Sequence, residues 1–325
     1  MSFKKEKDYF TFFHRILYSV LISLKINLLS TIGNRRKINP ENQIVLFSDP
    51  RGGSTWLSEI INTIPKTALI WEPLHLSYVK QLKDLKFGWR QYIPDDIDWP
   101  EAKSFFSQAL SGKIINTWTL SYTSLIDYLS AKTFIIKICR GNMLLPWLTK
   151  QFNFMYAPIY MVRHPFAVVN SQLQHSGWEQ TLNKYKVPDI PFNDIFIQYK
   201  NYLESLNSKE EIFTAIWCIS NKVPLNHINN NKKWITVHYE NLLLYPEQEI
   251  NRIFDLWRLP IPVGIVRSFR KKSKTAIGDL NEKNPAIQLK RWKRELTEKQ
   301  IHKMKSVLEY FNFTEYSYKE FTPTI

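Results

Sequence analysis

The sequence has few of the residues that define several specialised protein classes. It contains only two cysteines, Cys139 and Cys218, among 325 residues. They belong to no CxxC or CxxH spacing, so the sequence supports neither a disulfide framework nor a structural zinc site. Nine glycines and the lack of an internal repeat argue against solenoids and low-complexity chains. A hydrophobic content of 44% is too high for intrinsic disorder, so the chain is expected to fold.

Long hydrophobic runs are also missing. The longest uncharged apolar stretch near the N-terminus is residues 16–24, between Arg15 and Lys25. This is well short of the ~20 residues that a membrane-spanning helix needs. No secretory signal is evident, because no small-residue cleavage site follows. We therefore expect a cytoplasmic protein that is soluble or associated with a membrane surface.

The net charge of +15 is concentrated in two segments. Residues 1–40 carry eight Lys and Arg against two acidic residues, and residues 267–305 carry thirteen against four. These two segments account for the whole excess, so the rest of the chain is neutral. Basic segments flanking a neutral body indicate an anionic ligand or surface near the chain ends. A uniformly basic coat for nucleic acid fits less well, and no nucleic-acid partner is expected.

The hydrophobic pattern divides the chain into a short N-terminal segment and one domain. Residues 9–29 place apolar side chains at three- to four-residue intervals, which predicts one apolar helical face. The helix either docks on the domain or lies on anionic lipid, where Lys and Arg side chains would hold it. The predicted organisation is a basic amphipathic helix with a connector over 1–40, including peripheral membrane contact through 1–30, and a single domain over 41–325. The sequence leaves the oligomeric state open.

Short apolar runs alternate with helical patterns through the domain. The runs lie at 44–47, 68–71, 134–138, 158–162 and 234–237, and helical patterns at 142–152, 165–174, 193–206, 210–229 and 246–257. Continuous apolar runs of this length are typical of strands that are buried on both faces. The alternation predicts the α/β class, with a central parallel β-sheet flanked by helices.

The loop after the first predicted strand reads Pro-Arg-Gly-Gly-Ser-Thr-Trp-Leu over residues 50–57. Two glycines allow backbone N–H groups to turn inward, and the following helix N-terminus adds positive potential. This pattern predicts a phosphate or sulfate site. An ordinary helix start with Ser54 as its N-cap is the alternative. The loop lacks the GK[ST] sequence of nucleotide-hydrolysing P-loops, which argues against a kinase or ATPase.

These residues resemble the 5′-phosphosulfate loop of sulfotransferases that use 3′-phosphoadenosine 5′-phosphosulfate (PAPS). Residues 160–165, Tyr-Met-Val-Arg-His-Pro, followed by a serine eight residues after the arginine, resemble the family's 3′-phosphate motif. The resemblance implies PAPS as cosubstrate and a P-loop-NTPase-like three-layer fold. It assigns donor binding to Arg51, Gly52, Gly53, Ser54, Thr55, Trp56, Arg163 and Ser171.

Two weaker matches lie further along the chain. Residues 237–242, Val-His-Tyr-Glu-Asn-Leu, resemble the segment whose tyrosine reaches the adenine pocket in protein-tyrosine sulfotransferases, which implicates Tyr239. The basic runs 270–275 and 291–293 are placed like the family's lid over the nucleotide, which implicates Ser273, Lys274 and Arg291. An ordinary strand end and a solvated basic face are the alternatives.

The resemblance also suggests the catalytic residues. The strand end at residues 137–140 keeps the cation of the cytosolic enzymes as Lys137, but Cys139 stands where those enzymes carry a histidine base. Glu72 opens a Glu-Pro-Leu segment that resembles carbohydrate sulfotransferases, in which the glutamate faces the acceptor. We expect Glu72 as general base, with His75 as the fallback. A carboxylate near a helix start is the alternative role for Glu72. Sulfuryl transfer requires no metal, and none is expected.

The preferred hypothesis is a PAPS-dependent sulfotransferase that acts on a hydroxyl group, of a carbohydrate or glycolipid or of a small molecule. An atypical P-loop nucleotide kinase and a non-enzymatic protein that binds polyanions or membranes are the alternatives. The stretch 76–130 matches no motif. It is rich in aromatic residues, which stack on sugars, phenols and lipids alike, so the acceptor stays undefined.

Overall fold

The computed structural model describes residues 20–175, 184–269 and 285–324. Within these residues, one sheet contains β1 (Ile44–Ser48), β2 (Thr67–Trp71), β3 (Thr133–Cys139), β4 (Ile159–Val162) and β5 (Ile235–His238). Its strand order is β2-β3-β1-β4-β5, and every neighbouring pair is parallel. The predicted α/β class with a central parallel sheet is confirmed.

The helices connect and cover these strands. In chain order they are α1 (20–35), α2 (Ser54–Ile61), α3 (Gln81–Asp84), α4 (Pro100–Leu110), α5 (Leu125–Ser130), α6 (Leu145–Gln151), α7 (Pro165–Leu173), α8 (Asp194–Ile197), α9 (Lys200–Ser205), α10 (Lys209–Asn226), α11 (Tyr239–Leu244), α12 (Pro246–Trp257), α13 (Ile265–Ser268), α14 (Pro285–Leu289), α15 (Arg291–Glu295) and α16 (Glu298–Tyr310). Short 3₁₀ turns cover Pro40–Asn42 and Asn142–Leu144.

The sheet separates two apolar cores, because successive side chains of a strand point to opposite faces. On β1, Val45 and Phe47 join one core with residues of α4, α6, α7, α10 and α16. Ile44 and Leu46 join the other core with residues of α2, α11 and α12. All four side chains are buried, which explains why β1 reads as a continuous apolar run. Helix, sheet and helix therefore form three layers, as predicted.

One predicted helix is divided. The pattern over 193–206 predicts a single helix, but the structure has α8 and α9 with a turn at residues 198 and 199. Tyr199 has φ −108° and ψ 9°, outside helical geometry, and its ring lies 4.8 Å from that of Phe311 after α16. The turn lets both pieces keep their apolar side chains buried, since Phe196 and Leu203 are almost fully inaccessible to solvent.

Helix α1 docks on the domain at its C-terminal end. Leu29 is fully buried, and Arg36 donates hydrogen bonds to the backbone carbonyls of Tyr128, at 2.6 Å, and of Ala131. The face away from the domain exposes apolar side chains, namely Val20, Leu21, Leu24 and Leu28. The helix predicted over 9–29 is described from residue 20 and ends at residue 35, while positions 1–19 lie outside the described residues. Among the described helices, none is long and apolar enough to cross a membrane.

Helix α12 offers a matched pair of substitutions for testing the packing of the second core. Ile253 is fully buried, whereas Leu256 on the same helix is 59% exposed. Ile253→Ala should lower the free energy of unfolding by about 2–5 kcal/mol, because it leaves a cavity. Leu256→Ala should change it by about 0.5 kcal/mol or less. Urea denaturation of both variants measures the difference. Equal losses would contradict the assignment of these two faces.

Candidate active site

The predicted loop lies at the carboxyl edge of the sheet, where parallel α/β sheets commonly bind ligands. After β1, the backbone turns sharply, with a hydrogen bond from the Gly52 N–H to the Asp49 carbonyl at 3.0 Å. Arg51 and Gly53 have φ of 69° and 98°, in the left-handed region. Gly53 is the N-cap of α2, so Ser54 is the first helical residue and not the cap. The N–H groups of the first turn of α2 face no capping side chain from Gly53 and can receive an anion.

Close contacts explain both glycines of the loop. A Cβ atom on Gly52 would lie 2.2 Å from the Ser48 Oγ and 2.9 Å from the Asp49 carbonyl oxygen. A Cβ atom on Gly53 would lie 2.5 Å from the ring of Tyr239 and would be strained by its positive φ. Tyr239 therefore packs directly against the loop, which requires glycine on both steric and conformational grounds.

Two guanidinium groups lie beside this loop. The Nη1 of Arg163, just after β4, donates to the Arg51 carbonyl at 3.1 Å, and its guanidinium lies 4.3 Å from the Tyr239 ring centre. The Nε of Arg51 donates to the Ser171 Oγ at 2.9 Å. Burial lowers the pKa of Arg51, and the positive charge of Arg163 lowers it further.

Arg163 retains an unsatisfied donor. Its Nε is buried and has no hydrogen-bond partner among the described residues. A buried donor without an acceptor is costly, and two like charges side by side repel. An oxyanion between the two guanidinium groups would relieve both costs, and guanidinium groups bind phosphate through paired N–H donors. The arrangement fits an anionic group of a ligand.

Aromatic side chains line the space next to these arginines. Trp56 is buried on α2 and meets Tyr239 edge to face at 5.8 Å and Phe269 at 5.7 Å between ring centres. Gln288 donates to the Tyr239 hydroxyl at 2.9 Å. Tyr239 begins α11 directly after β5, which places it at the same edge of the sheet. Trp56 and Tyr239 are thus adjacent, as an adenine pocket would require.

The predicted lid is described only in part. Ser273 and Lys274 lie outside the described residues. Arg291 donates to Glu295 at 2.5 Å on α15, and Glu295 also accepts from Asn170 at 2.6 Å. Arg291 is therefore linked to α7 through Glu295.

A buried ion pair joins the two predicted catalytic residues. The Lys137 Nζ lies 2.7 Å from the Glu72 Oε1, with side-chain exposures of 2% and 14%. The same ammonium is 3.1 Å from the Cys139 Sγ and 3.8 Å from the centre of the Trp71 ring. Glu72 has φ 41°, which turns the chain sharply after β2. Strand pairing sets Trp71 opposite Lys137, so the register of β2 and β3 positions the pair.

The ion pair keeps both groups charged. Burial works against ionisation of Glu72, but the charge and hydrogen bond of Lys137 outweigh it, so the Glu72 pKa is lowered. Burial likewise opposes the charge on Lys137, yet Cys139 and Glu72 raise the pKa of Lys137 overall. Burial raises the pKa of Cys139 to about 11, and it remains a thiol. Its Sγ lies 3.7 Å from the Ser54 Oγ, which links the carboxylate side of the site to the loop.

His75, the fallback base, lies in an aromatic cluster near Glu72. Its ring centre is 4.6 Å from that of Tyr78, 4.9 Å from Trp89 and 4.6 Å from Trp118. Burial lowers the pKa of His75, and the charge of Arg140 lowers it further. The imidazole is therefore neutral at neutral pH. Its buried Nδ1 has no partner among the described residues.

Three further polar residues belong to this region but were missed by sequence reasoning. Asp49 directly follows β1, and its Oδ2 accepts from the Asn221 Nδ2 at 2.5 Å. Its Oδ1 lies 3.8 Å from an Nη of Arg90. Arg90 comes from the irregular segment 86–99, where periodicity carries no signal. The position of Arg140 directly after β3 could be read from the sequence, but no role was predicted for this residue.

Neither a family model nor a curated protein matches the chain. Among solved structures, it is similar to the sulfotransferase domain of the Synechococcus PCC 7002 olefin synthase, at 20% identity and a TM-score of 0.44, over 85% of this chain and 96% of that one. The sulfotransferase domain from the curacin biosynthetic pathway is 16% identical with a TM-score of 0.43, over 84% of this chain and 98% of that one. Mouse sulfotransferase SULT7A1, solved with PAP, is 16% identical with a TM-score of 0.44, over 84% of this chain and 85% of that one. Likeness of this degree assigns no role to any residue of this chain.

The ion pair generates a prediction for stability and its pH dependence. Lys137→Gln leaves the Glu72 carboxylate buried without its cation, which should cost about 3–5 kcal/mol at neutral pH. The lowered pKa of Glu72 would then become a raised one, so the folded variant binds a proton more readily than the unfolded chain. The loss of unfolding free energy in Lys137→Gln should therefore be larger at pH 8 than at pH 5.

Urea denaturation at both pH values measures this effect. Lys305→Gln is the matched control, because Lys305 pairs with Glu309 at 3.4 Å on the exposed side of α16. That change should cost about 0.5 kcal/mol or less at either pH. A loss in Lys137→Gln that is independent of pH, or as small as the control, would contradict the proposed coupling.

Proposed function

We propose that this protein is a sulfotransferase that moves the sulfuryl group of PAPS to an acceptor hydroxyl. The observation that carries the proposal is the meeting of two sites at one sheet edge. A glycine loop with Arg51 and Arg163 forms an anion site, and the buried pair of Glu72 and Lys137 lies next to it through Cys139 and Ser54. Sulfuryl transfer needs both an anion cradle and a proton acceptor.

The residues divide between the two ends of the donor. Arg51 and the N–H groups of residues 52–55 suit the 5′-phosphosulfate, because they combine a cation with backbone donors. Arg163 suits the 3′-phosphate, since its buried Nε needs an acceptor. Ser171 accepts a hydrogen bond from Arg51, so its hydroxyl lies next to that guanidinium group. Trp56 and Tyr239 suit the adenine.

In the proposed reaction, Glu72 accepts the proton of the acceptor hydroxyl. The hydroxyl oxygen forms a bond to sulfur as the bond between sulfur and the phosphate oxygen breaks. Lys137 donates a hydrogen bond to the departing phosphate oxygen and stabilises the negative charge that develops there. The lowered pKa of Glu72 means that the carboxylate is ionised at neutral pH, in the state that a base requires. We propose a carbohydrate or glycolipid acceptor on the basis of the Glu-Pro-Leu segment at 72–74.

The two alternative functions are less well supported. A P-loop kinase needs a lysine directly before the hydroxyl residue of its loop, but here Arg51 precedes the glycines and Gly53 precedes Ser54. A protein that only binds polyanions has no use for an ionised carboxylate buried against an ammonium, which costs desolvation energy. Glu72 is therefore the residue that separates an enzyme from a binding protein.

Glu72→Gln tests the proposed chemistry. The variant keeps the shape of the side chain but removes the proton acceptor, so transfer should fall by about 10²–10⁴-fold. Transfer of ³⁵S from labelled PAPS to a panel of sugars, glycolipids and hydroxy acids measures the activity. Binding of 3′-phosphoadenosine 5′-phosphate (PAP) should be unchanged, since the carboxylate does not belong to the donor site.

Glu309→Gln, which changes an exposed carboxylate of α16, is the control and should keep full activity. Retention of wild-type transfer by Glu72→Gln would exclude Glu72 as the base. Failure of the wild-type protein to transfer sulfate to any member of the panel, together with a failure to bind PAP, would exclude the proposed function.

A further inference from the structure

A cleft lies next to Leu74 and reaches Asp49, at the start of the donor loop, through Arg90. It contains about 230 Å³ of empty space, part of it open to solvent. One part of its wall is apolar, with Leu74, Phe87 and Leu144, and the other part carries the guanidinium groups of Arg90 and Arg140. Leu74 follows Glu72 by two positions, so the cleft begins close to the proposed base.

Arg90 is a buried cation with an incomplete set of partners. Its side chain is 12% exposed, and its Nε is buried without a hydrogen-bond acceptor among the described residues. The Oδ1 of Asp49 is 3.8 Å from an Nη, which is beyond hydrogen-bond distance. The other carboxylate oxygen of Asp49 is already bonded to Asn221. Arg90 therefore has electrostatic compensation, but its buried Nε still lacks an oxyanion to bind.

The second arginine adds positive charge to the same cleft. Arg140 lies 4.5 Å from the centre of the Trp89 ring, and Trp89 also lines the cleft. Burial lowers the pKa of Arg90 to about 10, and although Asp49 opposes this shift, the charge of Arg140 adds to it. Both guanidinium groups line the same cleft, so their like charges repel each other. An anion bound between them would reduce that repulsion as well as satisfy the Nε of Arg90.

Trp89 connects this positive region to the proposed base. Its ring lies 4.9 Å from that of His75, which is three residues after Glu72. His75 and Trp118 each have a buried ring nitrogen without a partner among the described residues, and their ring centres are 4.6 Å apart. Unsatisfied polar atoms on an aromatic wall are suited to a ligand that has both a polar and an apolar part.

We infer that the acceptor carries a carboxylate in addition to the hydroxyl that receives the sulfate. The anion binds between Arg90 and Arg140, the body of the acceptor lies along Trp89 and Leu74, and the hydroxyl reaches Glu72. This inference rests on the proposed function, since it takes Glu72 as the site of transfer. It narrows a carbohydrate acceptor to an acidic sugar and equally admits a hydroxy acid.

Two matched pairs of acceptors test the inference and distinguish these sources. One pair is methyl β-glucuronide and methyl β-glucoside, and the other is 3-hydroxydecanoate and its methyl ester. Each is titrated by calorimetry into full-length protein saturated with PAP. At least one acid should bind about tenfold or more tightly than its neutral partner, because only the acid forms charge-assisted bonds to the arginines. The pair in which the acid binds more tightly shows whether the acceptor is an acidic sugar or a hydroxy acid.

Arg140→Gln should abolish this preference, and Arg140→Lys should restore part of it. Arg90→Gln should also reduce it, and the PAP affinity of each variant shows whether the fold is intact. Equal binding of acid and neutral partner in both pairs, or a preference that survives both Gln variants, would overturn the inference. Failure of the wild-type protein to bind PAP would instead refute the proposed function, so the two failures can be told apart.

Discussion

The buried ion pair between Glu72 and Lys137 is the interaction on which the proposed site depends. A carboxylate at the end of a buried strand is costly to ionise, and an ammonium at 2.7 Å offsets that cost. The register of β2 and β3 sets this distance, because it places Trp71 beside Lys137. The strand register therefore positions Lys137 so that Glu72, the proposed base, stays ionised at neutral pH.

Around this pair, guanidinium groups lie in two places. Arg51 and Arg163 lie at the glycine loop, and Arg90 and Arg140 line the cleft next to Leu74. Both places contain a buried Nε without an acceptor among the described residues, on Arg163 and on Arg90. An anion bound at each place would give these Nε atoms an acceptor, and sulfuryl transfer supplies two anions if both donor and acceptor are anionic.

Motif resemblance selected the glycine loop, Glu72, Lys137 and Arg163 as candidate site residues. Each lies at a strand end or directly after a strand, so the α/β alternation could place these candidates at one edge of the sheet. The apolar runs likewise predicted the strands, because both faces of the sheet are buried.

The features that could not be predicted from the sequence depend on long-range contacts. The bond of Arg51 to Ser171 and that of Asp49 to Asn221 join residues more than a hundred positions apart. Arg90 comes from an irregular segment without periodicity, and the turn between α8 and α9 depends on packing of Tyr199 against Phe311. Each of these depends on where distant elements meet, which hydrophobic periodicity does not encode.

The most direct test of the account is calorimetric titration with PAP and, as control, ATP, for the wild type and for Arg163→Ala. The account predicts micromolar binding of PAP, much weaker binding of ATP, and a loss of about 2 kcal/mol or more of PAP binding free energy in the variant. A preference for ATP, or equal PAP binding by both proteins, would contradict the assignment of Arg163 to the 3′-phosphate and with it the proposed donor.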